Sequence, residues 1–214
     1  METKLTETVC SVCGTKSEHT VITKVKSDGV PDIDLRPADP HRSSMNYWVM
    51  ECPECGYCNG SLETPVEFDR SYLESSEYRK LGGLETENEL VSRFVRKALV
   101  NIKNHNYTEA LQSYIYAAWV FDDEKNDEKA SECRNEALNI MENSKTFDGD
   151  ESVYLLRADL LRRTGQFDKV ISDYGERFFE SPLMLLISQY HVKLAKNGDS
   201  SAHKMSDVPG VSYK

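Results

Sequence analysis

The spacing of apolar residues divides the chain into two parts that predict different secondary structure. From Asn88 onward, apolar residues recur at intervals of three and four, which is the pattern of a helix with one buried face. Asn104 and Asn106 flank one turn of this region. Gly165 follows a basic last turn, and Pro182 stands where a new helix begins. The pattern predicts six helices, at about 88–104, 107–122, 126–143, 151–164, 167–179 and 182–196.

The first third of the chain has strand signals instead. Residues 20–26 alternate apolar and polar side chains, and residues 45–50 are rich in aromatic and β-branched types, so both segments are predicted as strands. The segment between them is rich in proline and aspartate and predicts a long ordered loop.

Two helical stretches follow the offsets of the 34-residue tetratricopeptide pattern. In 154–182, Ala158 lies four residues after an aromatic residue and Phe167 opens the second helix; Phe94 and Ala98 begin a similar stretch. Small residues at these offsets let two helices approach closely. The predicted helix 126–143 interrupts the array. The region is therefore predicted as two imperfect tetratricopeptide-like repeats, with a plain α-helical bundle as the alternative.

These patterns predict an α+β fold that is mainly α, with a small β zinc-ribbon-like domain before the tetratricopeptide-like helical repeat domain. The expected division is 1–62 for the ribbon, 63–87 for a connector, 88–196 for the helical domain and 197–214 for a flexible tail.

Composition and charge narrow the classes of function. The 214 residues are 39% hydrophobic and 29% charged, which is typical of a soluble globular protein. No apolar run is long enough for a membrane span, and the first residues lack the apolar core of a signal peptide, so we expect a cytoplasmic protein. A net charge of −10 disfavours nucleic acid as a partner.

The cysteine spacing gives the most specific chemical signal. Cys10 and Cys13 form one CxxCG knuckle, and Cys52 and Cys55 form a second. Two intervening residues let both sulfurs of a knuckle reach one ion, and four protein ligands close a tetrahedral site. We therefore expect one structural Zn²⁺ bound by these four cysteines. A mononuclear iron site and a set of ordinary buried or redox thiols are the alternatives.

The two remaining cysteines receive structural interpretations. Cys58 lies close to the second knuckle, where it is expected to be a half-buried thiol, with a role as an alternative metal ligand left open. Cys133 falls on a predicted helix and is expected in the core.

Two further groups of polar residues could carry function. If the repeat register holds, a peptide-binding groove would be lined by Leu155, Asp159, Arg162 and Arg163; an ordinary solvated helix face is the alternative. In the loop 28–44, a polar site could be formed by Asp32, Asp34 and Arg36, together with His41 and Arg42. The alternative there is that these side chains cap loop backbone and pair with one another.

Several segments together resemble a family of uncharacterised, mostly prokaryotic proteins, a domain of unknown function. They are Asp32 to Pro37 (DIDLRP), Met45 to Val49 (MNYWV), Glu51 to Tyr57 (ECPECGY) and the stretch from Ala117 to Ala137. The resemblance covers about residues 8–180. It implies a zinc-binding N-terminal region followed by tetratricopeptide-like helices, and it supports architecture more than activity.

These expectations favour a zinc-stabilised adaptor or scaffold that binds another protein or peptide through its helical repeat, with no catalysis. No phosphate-binding loop, dinucleotide fingerprint, nucleophile elbow or zinc-protease motif occurs in the sequence. The alternatives are an enzyme or enzyme subunit using the 28–44 loop, and a transcription- or nucleic-acid-associated regulator. A homo-oligomer is a further option.

Overall fold

The computed structural model describes residues 1–147 and 151–212. It confirms an α+β fold that is mainly helical. Two compact units are present: unit 1 contains Met1–Lys26 and Pro40–Ile140, and unit 2 contains Ser27–Asp39 and Met141–Lys214. Residues 148–150 of the predicted helical domain and 213–214 of the predicted tail lie outside the described residues. None of the described helices combines the length and the apolar character that crossing a membrane requires.

The first part of unit 1 consists of two antiparallel hairpins. Strands β1 (Glu2–Val9) and β2 (Lys16–Lys24) form the longer hairpin, and β3 (Met50–Glu51) and β4 (Cys58–Asn59) form the shorter one. In each hairpin, the turn between the strands contains one CxxCG knuckle. Most of the strand predicted over 20–26 is confirmed, since β2 extends to Lys24.

The strand predicted over 45–50 is wrong for most of its length. Residues Arg42–Tyr47 form a 3₁₀ helix, and only Met50 belongs to a strand. The indole N–H of Trp48 donates to Ser44 Oγ at 3.1 Å, and its backbone N–H donates to the carbonyl of Met45 at 3.0 Å. These short-range bonds close a turn that an aromatic, β-branched composition does not predict.

The connector begins a helical region that continues through the rest of unit 1. Helix α1 (Ser76–Arg79) lies between two 3₁₀ turns. Helices α2 (Glu89–Lys103) and α3 (Tyr107–Asp123) pack against each other, and α4 (Asp127–Asn143) follows, with its last three residues assigned to unit 2. The α2 and α3 bounds agree with the predicted ones because asparagine side chains cap both N-termini.

Unit 2 contains helices α5 (Glu151–Arg163), α6 (Phe167–Tyr174) and α7 (Pro182–Lys196). Helix α6 ends five residues before the predicted 179. After Gly175 the chain leaves the helix, and Phe179 points into the core while Phe178 is 79% exposed. The helical spacing predicted too long an element, because Phe178 and Phe179 are compatible both with a helix and with the irregular chain that follows α6.

The described part of the predicted tail packs within unit 2. Met205 and Val208 are buried. Backbone bonds pair the segment with the 27–39 loop: Ile33 N–H donates to the carbonyl of His203, and Met205 N–H to the carbonyl of Pro31, each at 2.9 Å. This differs from the flexible tail that polar composition led us to expect, because the stabilising partner lies far away in sequence.

Candidate metal centre

The four knuckle cysteines bring their sulfurs together in one cluster. Cys10 Sγ lies 3.7 Å from Cys55 Sγ, and Cys13 Sγ lies 3.6 Å from Cys52 Sγ. All four sulfurs lie within 4.8 Å of one another. A disulfide would need about 2.05 Å. A tetrahedron with metal–sulfur bonds of about 2.3 Å has edges of about 3.8 Å, so the spacing fits a single metal ion.

The backbone of the two knuckles is equivalent. Gly14 N–H donates to the carbonyl of Cys10 at 2.8 Å, and Gly56 N–H donates to the carbonyl of Cys52 at 2.9 Å. Both glycines have positive φ, 74° and 70°, a conformation that costs glycine little. The same turn therefore presents two sulfurs from each hairpin to one point.

The environment of the sulfurs disfavours a bare thiolate at two of the four positions. Burial raises the pKa values of the Cys10 and Cys55 thiols. At Cys13 burial also acts to raise the pKa, but hydrogen bonds from the hydroxyl and backbone N–H of Thr15 outweigh it and lower the pKa to about 6. A divalent cation would supply the positive charge that keeps all four sulfurs deprotonated.

A second set of contacts holds the knuckles in place. The Ser11 hydroxyl, in the first knuckle, donates to the carbonyl of Thr64 at 2.6 Å. The Tyr57 hydroxyl, just after the second knuckle, donates to the same carbonyl at 3.1 Å. The Tyr78 hydroxyl of α1 donates to the carbonyl of Gly56 at 2.6 Å. Tyr57 adjoins the motif, but no sequence signal indicates Thr64 or Tyr78, since both lie well beyond it.

Neither remaining cysteine belongs to the cluster. Cys58 is fully buried, which corrects the expectation of a half-buried thiol. Its sulfur lies 3.5 Å from the carbonyl of Gly56, to which a thiol can donate, and burial raises its pKa to about 12. Cys133 lies in the core, as expected, and burial likewise raises its pKa to about 12. Both groups are therefore protonated thiols at neutral pH.

No protein-family model, curated protein sequence or solved structure matches this chain. The family resemblance of the sequence therefore stays a prediction.

Most of the residues predicted to line a peptide groove are buried within unit 2. Asp159 and Arg162 are 1% and 0% exposed, Leu155 is buried and Arg163 is half-buried. Arg162 donates to the Asp159 carboxylate at 2.8 Å, and also to the carbonyls of residues 199 and 201, each at 2.8 Å. The predicted groove face is thus covered, because the segment after α7 folds over it. The spacing of apolar residues along one helix does not show whether another segment packs over its face.

The predicted loop site is also buried. The side chains of Asp32, Asp34 and Arg36 are at most 8% exposed. Asp32 N–H donates to the carbonyl of Arg36 at 2.9 Å, and Arg36 N–H donates to Asp34 Oδ1 at 3.1 Å. The turn between them places Leu35 at a positive φ of 67°. These three residues form a compact turn of unit 2, whereas His41 and Arg42 belong to unit 1.

Proposed function

We propose that this chain is a zinc-stabilised adaptor that binds another protein or peptide and does not catalyse a reaction. The observation that carries the proposal is the closed set of four cysteine sulfurs. With four protein ligands, a tetrahedral ion keeps no position for a water or substrate. Such an ion supplies folding energy, so function falls to the surfaces that the fold presents.

The choice of zinc has a direct test. Protein purified without added metal is expected to contain about one zinc per chain by elemental analysis and to be colourless. Stoichiometric iron with visible absorption would overturn zinc in favour of the mononuclear iron alternative. Absence of any bound metal would refute the metal site altogether.

The helical pairs support the tetratricopeptide-like interpretation as part of this proposal. Ala98 on α2 and Ala117 on α3 are fully buried, as the predicted close approach of these helices requires. Ala158 is fully buried on α5, and Gly165 turns the chain toward α6 with a φ of 73°. The first helix of each helical hairpin thus carries a buried alanine at the same offset, whereas Val170 of α6 stands where α3 has Ala110, and α4 is the additional helix between the two hairpins in sequence.

A groove in unit 1 offers a surface of suitable size. Its volume is about 1120 Å³, and the connector and the turn between α3 and α4 line it. Small-molecule pockets usually reach only about 1000 Å³. Leu84 contributes apolar surface, while Arg79, Lys80 and Lys129 contribute positive charge beside three glutamates. We propose that a peptide segment of the partner lies in this groove.

The test compares capture of partners by the wild type and by two charge-reversal variants. Arg79 and Lys80 are exposed, so the double change Arg79→Glu, Lys80→Glu leaves the core intact. Lys145→Glu is the control, since Lys145 is exposed in unit 2 and is not part of the groove. A partner that co-purifies from native lysate with the wild type and the control, but not with the groove variant, is the expected result. Equal capture by all three proteins would refute the groove.

A further inference from the structure

Strand β1 has one paired edge and one open edge. Among the described residues, its sheet contains only β1 and β2. No backbone hydrogen bond joins residues 1–9 to any described segment other than β2. A strand of eight residues with a free edge is a template for another strand, and natural proteins usually protect such edges.

The same strand carries exposed apolar side chains on one face. Leu5 and Val9 are 57% and 41% exposed, and Met1, directly before the strand, is 53% exposed. They account for three of the six large hydrophobic residues exposed in the described chain. Leu5 and Val9 lie on one face, because they are four residues apart within β1 and side chains of a strand alternate. Apolar surface and unpaired backbone therefore coincide.

The sequence of β1 is complementary to itself in one antiparallel register. In a symmetric antiparallel pair, two opposed residues have their side chains on the same side of the sheet. Their residue numbers must therefore add to an even sum. Pairing Leu5 with Leu5 of a second copy places Met1 against Val9, and Thr3 against Glu7. The opposite face then pairs charged residues only with threonines. This register matches apolar with apolar side chains and brings no like charges together.

Neighbouring registers are less favourable. A shift of the symmetry axis to Lys4 places two lysines opposite each other, and a shift to Thr6 places Leu5 against Glu7. The carboxylate of Glu7 is also engaged toward β2, where it accepts from Lys16 at 3.0 Å. The Glu7 carboxylate is therefore directed toward β2 and does not block the open edge of β1.

We propose that two copies of this chain associate through the β1 edge, in the register centred on Leu5, and form a continuous four-stranded antiparallel sheet. The strand that pairs with β1 is β1 of a second copy rather than an unrelated strand. The apolar and charged positions of β1 are complementary to the same sequence running in the opposite direction. The contact is a short strand pair, so it is a weak dimer that forms and dissociates with concentration.

The first test measures oligomeric state of the full zinc-loaded chain by sedimentation over micromolar to near-millimolar concentrations. The wild type is expected to shift from monomer to dimer. Leu5→Lys places two like charges at the axis and should weaken association about tenfold or more. Leu35→Lys, at a residue 67% exposed in unit 2, is the matched control and should dimerise normally. A monomer at every concentration, or a dimer insensitive to Leu5→Lys, would overturn the proposal.

The second test reads the register by disulfide formation. Facing residues of an antiparallel pair lie about 4.5–5.5 Å apart at Cα, which is within reach of a disulfide. Leu5→Cys should therefore cross-link two copies under mild oxidation. Thr3→Cys alone should not, since two copies of that residue lie about 13 Å apart in this register. A mixture of Thr3→Cys and Glu7→Cys should cross-link. Efficient cross-linking by Thr3→Cys alone, or none by Leu5→Cys, would refute the register.

Discussion

Loss of the metal is expected to unfold helices as well as hairpins. The perturbation is Cys52→Ser, which removes one of the four sulfur ligands. The hairpins, helices α2 and α3 and all but the last three residues of α4 belong to the same compact unit. Glu51 of β3 accepts from Arg96 of α2 at 2.9 Å, and the rings of Trp48 and Tyr116 meet at 5.0 Å. These contacts couple the metal site to the helices.

The expected magnitude follows from two free energies. Structural zinc contributes about 10–16 kcal/mol in zinc-finger peptides, whereas a whole domain is stable by only about 5–15 kcal/mol. Removing a ligand therefore removes more than unit 1 can lose while staying folded. More than half of the α-helical residues described lie in this unit. The variant should lose about half of its helical ellipticity.

Two optical readouts separate the units. Far-UV circular dichroism reports helix in both, while tryptophan fluorescence reports only unit 1, since Trp48 and Trp119 both lie there. Cys133→Ser is the control, because Cys133 is a buried cysteine outside the cluster. A Cys52→Ser protein that retains nearly all helical ellipticity would refute the coupling. It would support the division at residue 87 that the sequence predicts.

Three further outcomes are expected. Tyr78→Phe removes the hydroxyl that donates to Gly56, so it should lower the stability of unit 1 by about 1–2 kcal/mol and speed zinc transfer to a coloured chelator. Burial lowers the pKa of His191 to about 4 from 6.5, so the unfolded state binds the extra proton below pH 6.5. Wild-type stability should therefore fall by about 2 kcal/mol from about pH 7 to pH 5 in urea titrations, and His191→Gln should largely lose that slope. Arg134→Ala leaves the Asp122 carboxylate without its guanidinium at a site where the two side chains are 16% and 3% exposed, and a loss of about 2–4 kcal/mol is expected in thermal unfolding.

The features that the sequence predicted correctly are those fixed by nearby residues. The CxxCG spacing determines the shape of each knuckle, and the cap residues Asn88 and Asn106 determine where α2 and α3 begin. The wrong strand at 45–50 shows the limit of this reasoning. Aromatic and β-branched side chains suit a strand, yet here a bond from Trp48 to Ser44 favours a 3₁₀ turn. Composition alone does not distinguish the two.

The features that escaped prediction depend on partners distant in sequence, and polar groups secure several of them. In unit 1, the hydroxyl of Tyr78 on α1 donates to the carbonyl of Gly56 in the second knuckle. In unit 2, the buried guanidinium of Arg162 joins α5 to the carbonyls of residues 199 and 201. A buried charge is costly unless an ion pair and hydrogen bonds offset its desolvation, so this arrangement fixes the C-terminal segment in one place. The repeat register predicts Arg162 as a groove residue, whereas in the structure it is paired inside unit 2. A charged residue on an apolar helix face needs a partner, and the sequence does not show whether that partner is another molecule or its own chain.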